Sequence, residues 1–201
     1  MVKKDFFVVA GIALLFFTGC ASSQVERVDV QKTVDLSGMW NDTDSRTVAK
    51  EMIEDAMHSP WVNDFRAAKG RAPVVIVGPI KNQTEEHVNT EIFTKNLENS
   101  FVRSGLVKVV ASRSERLPVR QERNEQQQGL TEPETVKKIG KETGADFILS
   151  GSVNTVKDEY KGRYVIMYQA NLELLDLENN QKVWIGQTHL KKIVKRSKYS
   201  L

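Results

Sequence analysis

The sequence is poor in the residues that build reactive sites. Its 201 residues include one cysteine, Cys20, and three histidines, His58, His87 and His189, which share no metal-ligand spacing. A single cysteine cannot close a disulfide within the chain or build a cysteine-ligated metal site. The chain also lacks a nucleophile elbow, a Walker A loop and a glycine-rich dinucleotide motif. We therefore expect a protein that is not an enzyme and that binds no metal or cofactor.

The chain also lacks a strong excess of charge of either sign. Lysine and arginine number 29 and aspartate and glutamate 26, the net charge is +3, and 40% of the residues are apolar. These proportions are typical of a globular domain, whereas nucleic-acid-binding proteins concentrate basic residues in a stripe. We interpret a basic run at residues 191–198 as the solvated end of a C-terminal strand. The composition predicts no nucleic-acid partner.

No apolar run in the sequence is long enough for a transmembrane helix. The longest run follows Lys3 and Lys4 and covers residues 6–17. As a helix these 12 residues would reach about 18 Å, which is short of the ~30 Å hydrocarbon core of a bilayer. A basic start and a short apolar run are typical of a secretory signal peptide, which we assign to residues 1–19.

The end of this segment, Phe17-Thr18-Gly19-Cys20, resembles the lipobox of bacterial lipoproteins. The resemblance implies that the Cys20 thiol receives a diacylglycerol, that the chain is cut before Cys20, and that the new amino terminus is acylated. Two or more acyl chains hold a protein stably at a membrane. The alternative is an ordinary signal peptide followed by an unrelated cysteine. In enteric bacteria a residue other than aspartate after the cysteine directs lipoproteins outward, so Ala21 implies the outer membrane in a host with two membranes.

The mature chain divides into a short tether and a domain. Residues 20–38 carry few large apolar side chains, so we interpret them as the lipidated N-terminus and a short tether. Fully extended, this stretch spans about 60 Å. Residues 39–201 form the predicted domain. A protein tethered in this way reaches only partners that come close to its membrane.

Two helices are predicted at the start of the domain. Thr43 or Asp44 is placed to cap the first, whose apolar residues recur at helical spacing. Ser59-Pro60 separates the two helices, and Gly70 ends the second. The spacing predicts that both helices bury one face.

A strand, a helix and a second strand follow. Residues 73–78 form a mostly β-branched run that is typical of a strand buried on both faces. Asn89 and Gly105 bound the next predicted helix, and residues 106–110 form the second strand. Because the joints are short, we expect the two strands to be parallel, with a right-handed crossover.

The following segment is strongly polar. Ser112 and Glu115 form a capping box, which predicts a mostly exposed helix that Pro118 distorts. A second capping box at Thr131 and Glu134 predicts another helix, which ends at Gly144 with Val136 and Ile139 facing inward.

The last third of the chain predicts strands alone. Apolar and polar residues alternate at 147–154 and again at 164–174, and residues 183–190 form a third run. Turn residues separate the runs, so we expect two successive antiparallel hairpins. Together the elements predict a three-layer, single-domain α/β fold, with a mixed sheet of about five strands flanked by helices.

Several stretches together resemble the LpoB-like lipoprotein activators of penicillin-binding proteins. They are the lipobox, 38–44 (GMWNDTD), 82–84 (NQT), 144–151 (GADFILSG), 174–177 (LLDL) and 182–184 (KVW). The resemblance implies a fold like the N-terminal domain of TolB. It also implies an outer-membrane lipoprotein on the periplasmic side that binds and activates a bifunctional penicillin-binding protein, a peptidoglycan synthase, and so regulates cell-wall synthesis and cell shape. Well-studied enteric members have a long, proline-rich arm, which this chain lacks.

Two groups of residues are candidates for the partner-binding surface: Trp40, Asp42 and Asp44 before the first helix, and Arg113, Arg116, Arg120 and Arg123 in the polar helix. The structural alternative is that the aspartates cap a helix and that the arginines form a solvated helix face. A functional alternative is a TolB-like or curli-pore-like envelope lipoprotein with a structural, oligomerising role.

Overall fold

The computed structural model describes residues 25–29, 32–160 and 163–195. Residues 33–201 form one compact unit, and the described residues of the preceding unit, 25–29 and Lys32, have no helix or strand. The elements of the domain, in chain order, are α1 (Asp42–His58), α2 (Trp61–Lys69), β1 (Val74–Gln83), α3 (Thr90–Ser104), β2 (Lys108–Val110), α4 (Arg113–Glu125), a π-helical turn (Gln126–Leu130), β3 (Phe147–Tyr160), β4 (Arg163–Asp176) and β5 (Lys182–Lys195).

The five strands form one mixed sheet in the order β2-β1-β3-β4-β5. Strand β1 is parallel to both β2 and β3, and Val75 lies opposite Val109 and Phe147 in the two ladders. Strands β3, β4 and β5 are successive antiparallel neighbours. The predicted α/β fold with a mixed five-stranded sheet and flanking helices is therefore confirmed, as are the parallel pair and the two hairpins.

The main core lies on the face of the sheet that carries Phe147, Leu149 and Val153. These alternate residues point to one face because successive side chains of a strand alternate sides. Trp61 and Phe65 of α2 approach Phe147 edge-on, with ring centroids 5.1 and 5.3 Å away. The core also includes the fully buried Val48, Met52, Ile53, Phe93, Leu97, Phe101, Val75, Val77, Leu172 and Leu174.

Asp146 joins the starts of β1 and β3. Its carboxylate accepts two hydrogen bonds from the Arg71 guanidinium at 2.7 Å each and one from the Val74 amide at 2.8 Å. The Asp146 amide donates to the Val74 carbonyl at 2.7 Å. The hydrogen bonds from Arg71 lower the pKa of Asp146, so this carboxylate stays ionised. Asp146 therefore links the first residues of the two parallel strands β1 and β3.

The cap of α1 differs from the prediction. The N-cap is Asn41, whose side chain accepts from the Asp44 amide at 3.1 Å, while the Asp44 carboxylate accepts from the Asn41 amide at 2.8 Å. The prediction of Thr43 or Asp44 as the cap was wrong, because Asp44 acts as the third residue of a capping box that begins one turn earlier.

The helix predicted over residues 131–144 is absent. This stretch has no helix or strand, Gly140 adopts a φ of +76°, and Ile139 is 61% exposed instead of facing inward. Too few apolar side chains are available in this stretch to stabilise a helix by burial. Helix α4, in contrast, forms as predicted. It has the Ser112 capping box, Pro118 within it and no buried residue.

Among the helices formed by the described residues, none has the length and apolar character needed to cross a membrane.

Candidate partner-binding surfaces

Residues 33–41, which we term the strap, lie against the domain just before α1. Trp40 is its main anchor. The Trp40 indole donates to the Ser45 hydroxyl at 2.6 Å, and its backbone amide donates to Glu86 at 3.4 Å. The ring meets Phe93 and Tyr168 edge-on, with centroids 5.8 and 5.5 Å away. Trp40 is therefore a partly buried packing residue.

A buried lysine connects the strap to α1 and β5. The ammonium of Lys192 donates to Asp35 at 2.6 Å, to Asp44 at 2.7 Å and to the Met39 carbonyl at 3.1 Å. The side chains of Lys192 and Asp44 are only 10% and 7% exposed. Burial alone would lower the pKa of Lys192, but the hydrogen bonds to the two carboxylates outweigh it and raise that pKa. The cluster carries two carboxylates against one ammonium.

Two tyrosines of β4 form hydrogen bonds with the backbone of the strap. The Tyr168 hydroxyl lies 2.8 and 2.7 Å from the two carboxylate oxygens of Glu86 and 3.3 Å from the Gly38 carbonyl. The Tyr164 hydroxyl donates to the Ser37 carbonyl at 3.3 Å. Gly38 has a φ of +76°, and a Cβ there would overlap the Val194 side chain. The strap thus follows a path at this point that favours glycine.

These contacts show which residues of the first candidate group, Trp40, Asp42 and Asp44, are accessible to a partner. Trp40 and Asp44 belong to one internal cluster and present little surface to a partner. Asp42 is different, because its side chain is 64% exposed and pairs with Arg46 one turn along α1. The hydrogen bond from Arg46 lowers the pKa of Asp42. Asp35, Ser37 and Gly38, which the sequence places in the tether, contact β4 and β5.

The second candidate group forms a face of α4. At about 100° per residue, the four arginines fall within about 80° of one another, and the three glutamates lie on the opposite side. We term this side the arginine face; it consists of Arg113, Arg116, Arg120 and Arg123. The helix is therefore segregated by charge, which a count of its net charge does not reveal.

Glu142 pairs with one end of the arginine face. Arg120 donates to both of its carboxylate oxygens, at 2.9 and 2.7 Å, and Arg123 donates at 2.9 Å. The hydrogen bond from Arg120 is the largest cause that lowers the pKa of Glu142 to about 2. One carboxylate thus accepts hydrogen bonds from two guanidinium groups, and the three side chains together retain a net positive charge.

An open cavity of about 400 Å³ lies beside this pairing. Its lining residues are Arg120, Arg123, Asn124, Ile139, Gly140 and Glu142. Most of these residues are polar, and Ile139 adds an apolar wall. The cavity is formed where α4 meets the irregular stretch that replaces the predicted helix.

A second ion pair fixes the start of α4 on α3. Lys95 of α3 donates to Glu115, and Glu115 also accepts from the Ser112 amide at 2.8 Å. The hydrogen bond from Lys95 is the largest cause that lowers the pKa of Glu115 to about 2. The Ser112 capping box therefore both begins α4 and orients it against α3.

The structure adds residues that the sequence patterns did not single out. Glu86, Tyr168, Lys192 and Glu142 all organise the two candidate groups, and each acts on residues distant in the chain. Within the described ranges, no three histidine, cysteine, aspartate or glutamate side chains come together as a metal site. Cys20, the predicted lipidation site, lies outside the described residues.

The chain is similar to one protein family and to several solved structures. The profile of the family described as "Peptidoglycan-synthase activator LpoB" matches residues 44–190. The LpoB C-terminal domain from Salmonella enterica is 20% identical, with 65% of this chain and 93% of that chain covered and a TM-score of 0.33. The LpoB C-terminal domain from Escherichia coli is 18% identical, with 65% of this chain and 93% of that chain covered and a TM-score of 0.34. Lipoprotein GNA1162 from Neisseria meningitidis is 15% identical, with 62% of this chain and 86% of that chain covered and a TM-score of 0.40.

These structural likenesses are too distant to transfer contacts or activity, and the comparison with curated proteins gives no significant match. The family match is of a different kind, because it spans the domain from Asp44 in α1 to Leu190 in β5. It therefore includes most of α1, the whole of the arginine face and most of the five-stranded sheet. On this basis the chain belongs to the LpoB family of peptidoglycan-synthase activators.

Proposed function

We propose that this protein is an outer-membrane lipoprotein, anchored through Cys20 on the periplasmic side. We further propose that it binds and activates a bifunctional penicillin-binding protein, and so regulates peptidoglycan synthesis and cell shape. The observation that carries the proposal is the family match over residues 44–190. The lipobox that ends at Cys20 supports the anchor.

The proposed activity needs no chemistry of its own. An activator shifts its target toward the active state because it binds that state more tightly than the inactive one. The requirement is a surface complementary to one state of the synthase. The arginine face and the exposed Asp42 are the parts of the predicted site that present such a surface, whereas Trp40 and Asp44 hold the strap in place.

The strap shortens the reach of the proposed tether. Because Asp35 and Ser37 contact β5 and β4, residues 20–34 are the stretch that separates the proposed lipid from the first contact with the sheet. Fully extended, these residues span at most about 50 Å. The proposal therefore requires that the synthase itself extends toward the outer membrane.

Affinity capture tests the proposal. The protein, with Cys20 intact, would be isolated from envelopes of its own host after brief cross-linking, and the co-purifying proteins identified. We expect a bifunctional penicillin-binding protein among them, and we expect it to be lost from a Cys20→Ser strain in which the protein is no longer at the membrane. Capture of other envelope proteins without any synthase would contradict the proposal.

A further inference from the structure

Among the described residues, helix α4 has no packing partner for most of its surface. None of its residues is buried, and two apolar side chains beside the arginine face, Leu117 and Val119, are 58% and 46% exposed. A helix usually gains its stability by burying an apolar face, and propensity alone makes short helices marginal. Pro118 weakens this helix further. These features are those of a helix that docks on a second surface.

The charge of the arginine face is incompletely neutralised within the described residues. Glu142 accepts from Arg120 and Arg123 at one end. At the other end, Arg113 and Arg116 form no ion pair with any described residue. Arg113 is exposed. A carboxylate brought to this end would therefore pair with a guanidinium that has no anion among the described residues.

The pairing of Arg120 and Arg123 with Glu142 is an example, within the chain, of a carboxylate held by this face. The guanidinium fork holds a carboxylate with two parallel hydrogen bonds, at 2.9 and 2.7 Å, which is the strong bidentate geometry. The adjoining cavity of about 400 Å³ is open and has Ile139 in its wall. The face therefore offers guanidinium groups for carboxylates, flanked by apolar contacts.

We propose that the arginine face of α4 is the docking surface for an acidic segment of the synthase, with carboxylates on Arg113 and Arg116 and apolar side chains against Leu117 and Val119. This inference rests on the proposed function and deepens it, because it states the chemistry of the partner. Like charges elsewhere on the synthase would be repelled, so the face would set orientation as well as affinity.

The test is the dissociation constant for the purified full-length synthase of the same host. The test variant is Arg113→Glu with Arg116→Glu, which leaves the Arg120–Glu142 pairing in place. The matched control is Lys50→Glu with Lys69→Glu, because both lysines are exposed on α1 and α2 and the change in net charge is the same. Circular dichroism checks that each variant folds, and Arg113→Gln with Arg116→Gln provides a milder second variant.

We expect the affinity of the Arg113→Glu, Arg116→Glu variant to fall about tenfold or more and that of the control to change less than about twofold. Raising the salt concentration should weaken the wild-type complex and narrow the difference between the two proteins. Equal affinity of wild type and both arginine variants, or an equal loss in the lysine control, would overturn this inference and leave the proposed function standing. Failure of the wild type to bind the synthase would overturn both.

Discussion

The fully buried Tyr168 places its hydroxyl 2.7 and 2.8 Å from the two carboxylate oxygens of Glu86, a residue 82 positions earlier in the chain. Glu86 also accepts from the Trp40 amide at 3.4 Å. One carboxylate thus connects β4, the loop after β1 and the strap. Burial is the largest cause that raises the pKa of the Tyr168 hydroxyl, so this donor keeps its proton.

Replacing Tyr168 with phenylalanine should destabilise the domain by about 2 kcal/mol. The change leaves a partly buried carboxylate with one weak donor, and an unsatisfied buried partner costs about 1–3 kcal/mol. Urea denaturation measures the difference. The control is Tyr164→Phe, whose hydroxyl donates to the Ser37 carbonyl at an exposed position and which should cost less than ~1 kcal/mol. Equal effects of the two changes would contradict the role given to Glu86.

Replacing Lys192 with methionine should destabilise the domain by about 3 kcal/mol, because it leaves the buried Asp44 without its cation. The double variant with Asp44→Asn should recover most of this loss, since asparagine can still accept from the Asn41 amide and carries no charge. Denaturation of the four proteins in a double-mutant cycle measures the coupling. A double variant whose loss equals the sum of the two single losses would show that the ion pair is not the cause.

The pairing of Glu142 with α4 should depend on pH in an acidic range. Because the pKa of this carboxyl is lowered from 4.5 to about 2, its contribution to stability is present above the unfolded pKa near 4.5 and is lost as the pH falls through 2. Carboxyl NMR titration should place the Glu142 midpoint near 2 and should return it toward 4.5 in an Arg120→Gln variant. A wild-type midpoint near 4.5 would show that the pairing does not form in solution.

Replacing Cys20 with serine should release the protein from membranes without changing its fold, because the serine hydroxyl does not receive the diacylglycerol in place of the thiol. Fractionation of cells into membrane and soluble material measures the change, and circular dichroism checks the fold. A matched control is Ser22→Ala, which leaves the lipobox intact. A serine variant that remained in the membrane fraction would contradict the lipid anchor.

The parts of the fold that depend on local patterns could be predicted from the sequence. Asn89 and Gly105 bound α3 as expected, because a side-chain cap and a left-handed glycine act within one turn. The alternation of residues 164–174 predicted β4, since the burial of one face imposes a period of two. The same local signal failed at 131–144, where a capping box is present but no apolar face is available for burial.

The organisation of the candidate site could not be predicted in this way. Lys192 reaches Asp35 and Asp44, which are 157 and 148 positions away, and Tyr168 is an ordinary inward position of β4 in the alternating pattern. These residues matter because the strap packs against β4 and β5. No local sequence spacing indicates that contact. For the same reason the sequence could single out the aspartates at the start of α1 and the arginines of α4 as candidates, but not the different contacts that they make.

The rate of glycan polymerisation measures whether this protein activates a synthase. Purified synthase from the same host would polymerise a labelled lipid-linked precursor with and without this protein, at saturating concentration and with complex formation confirmed in the same buffer. We expect the rate to rise about fivefold or more, the scale of a typical allosteric coupling. An unchanged rate in the presence of a confirmed complex would contradict the account, because binding would then occur without activation.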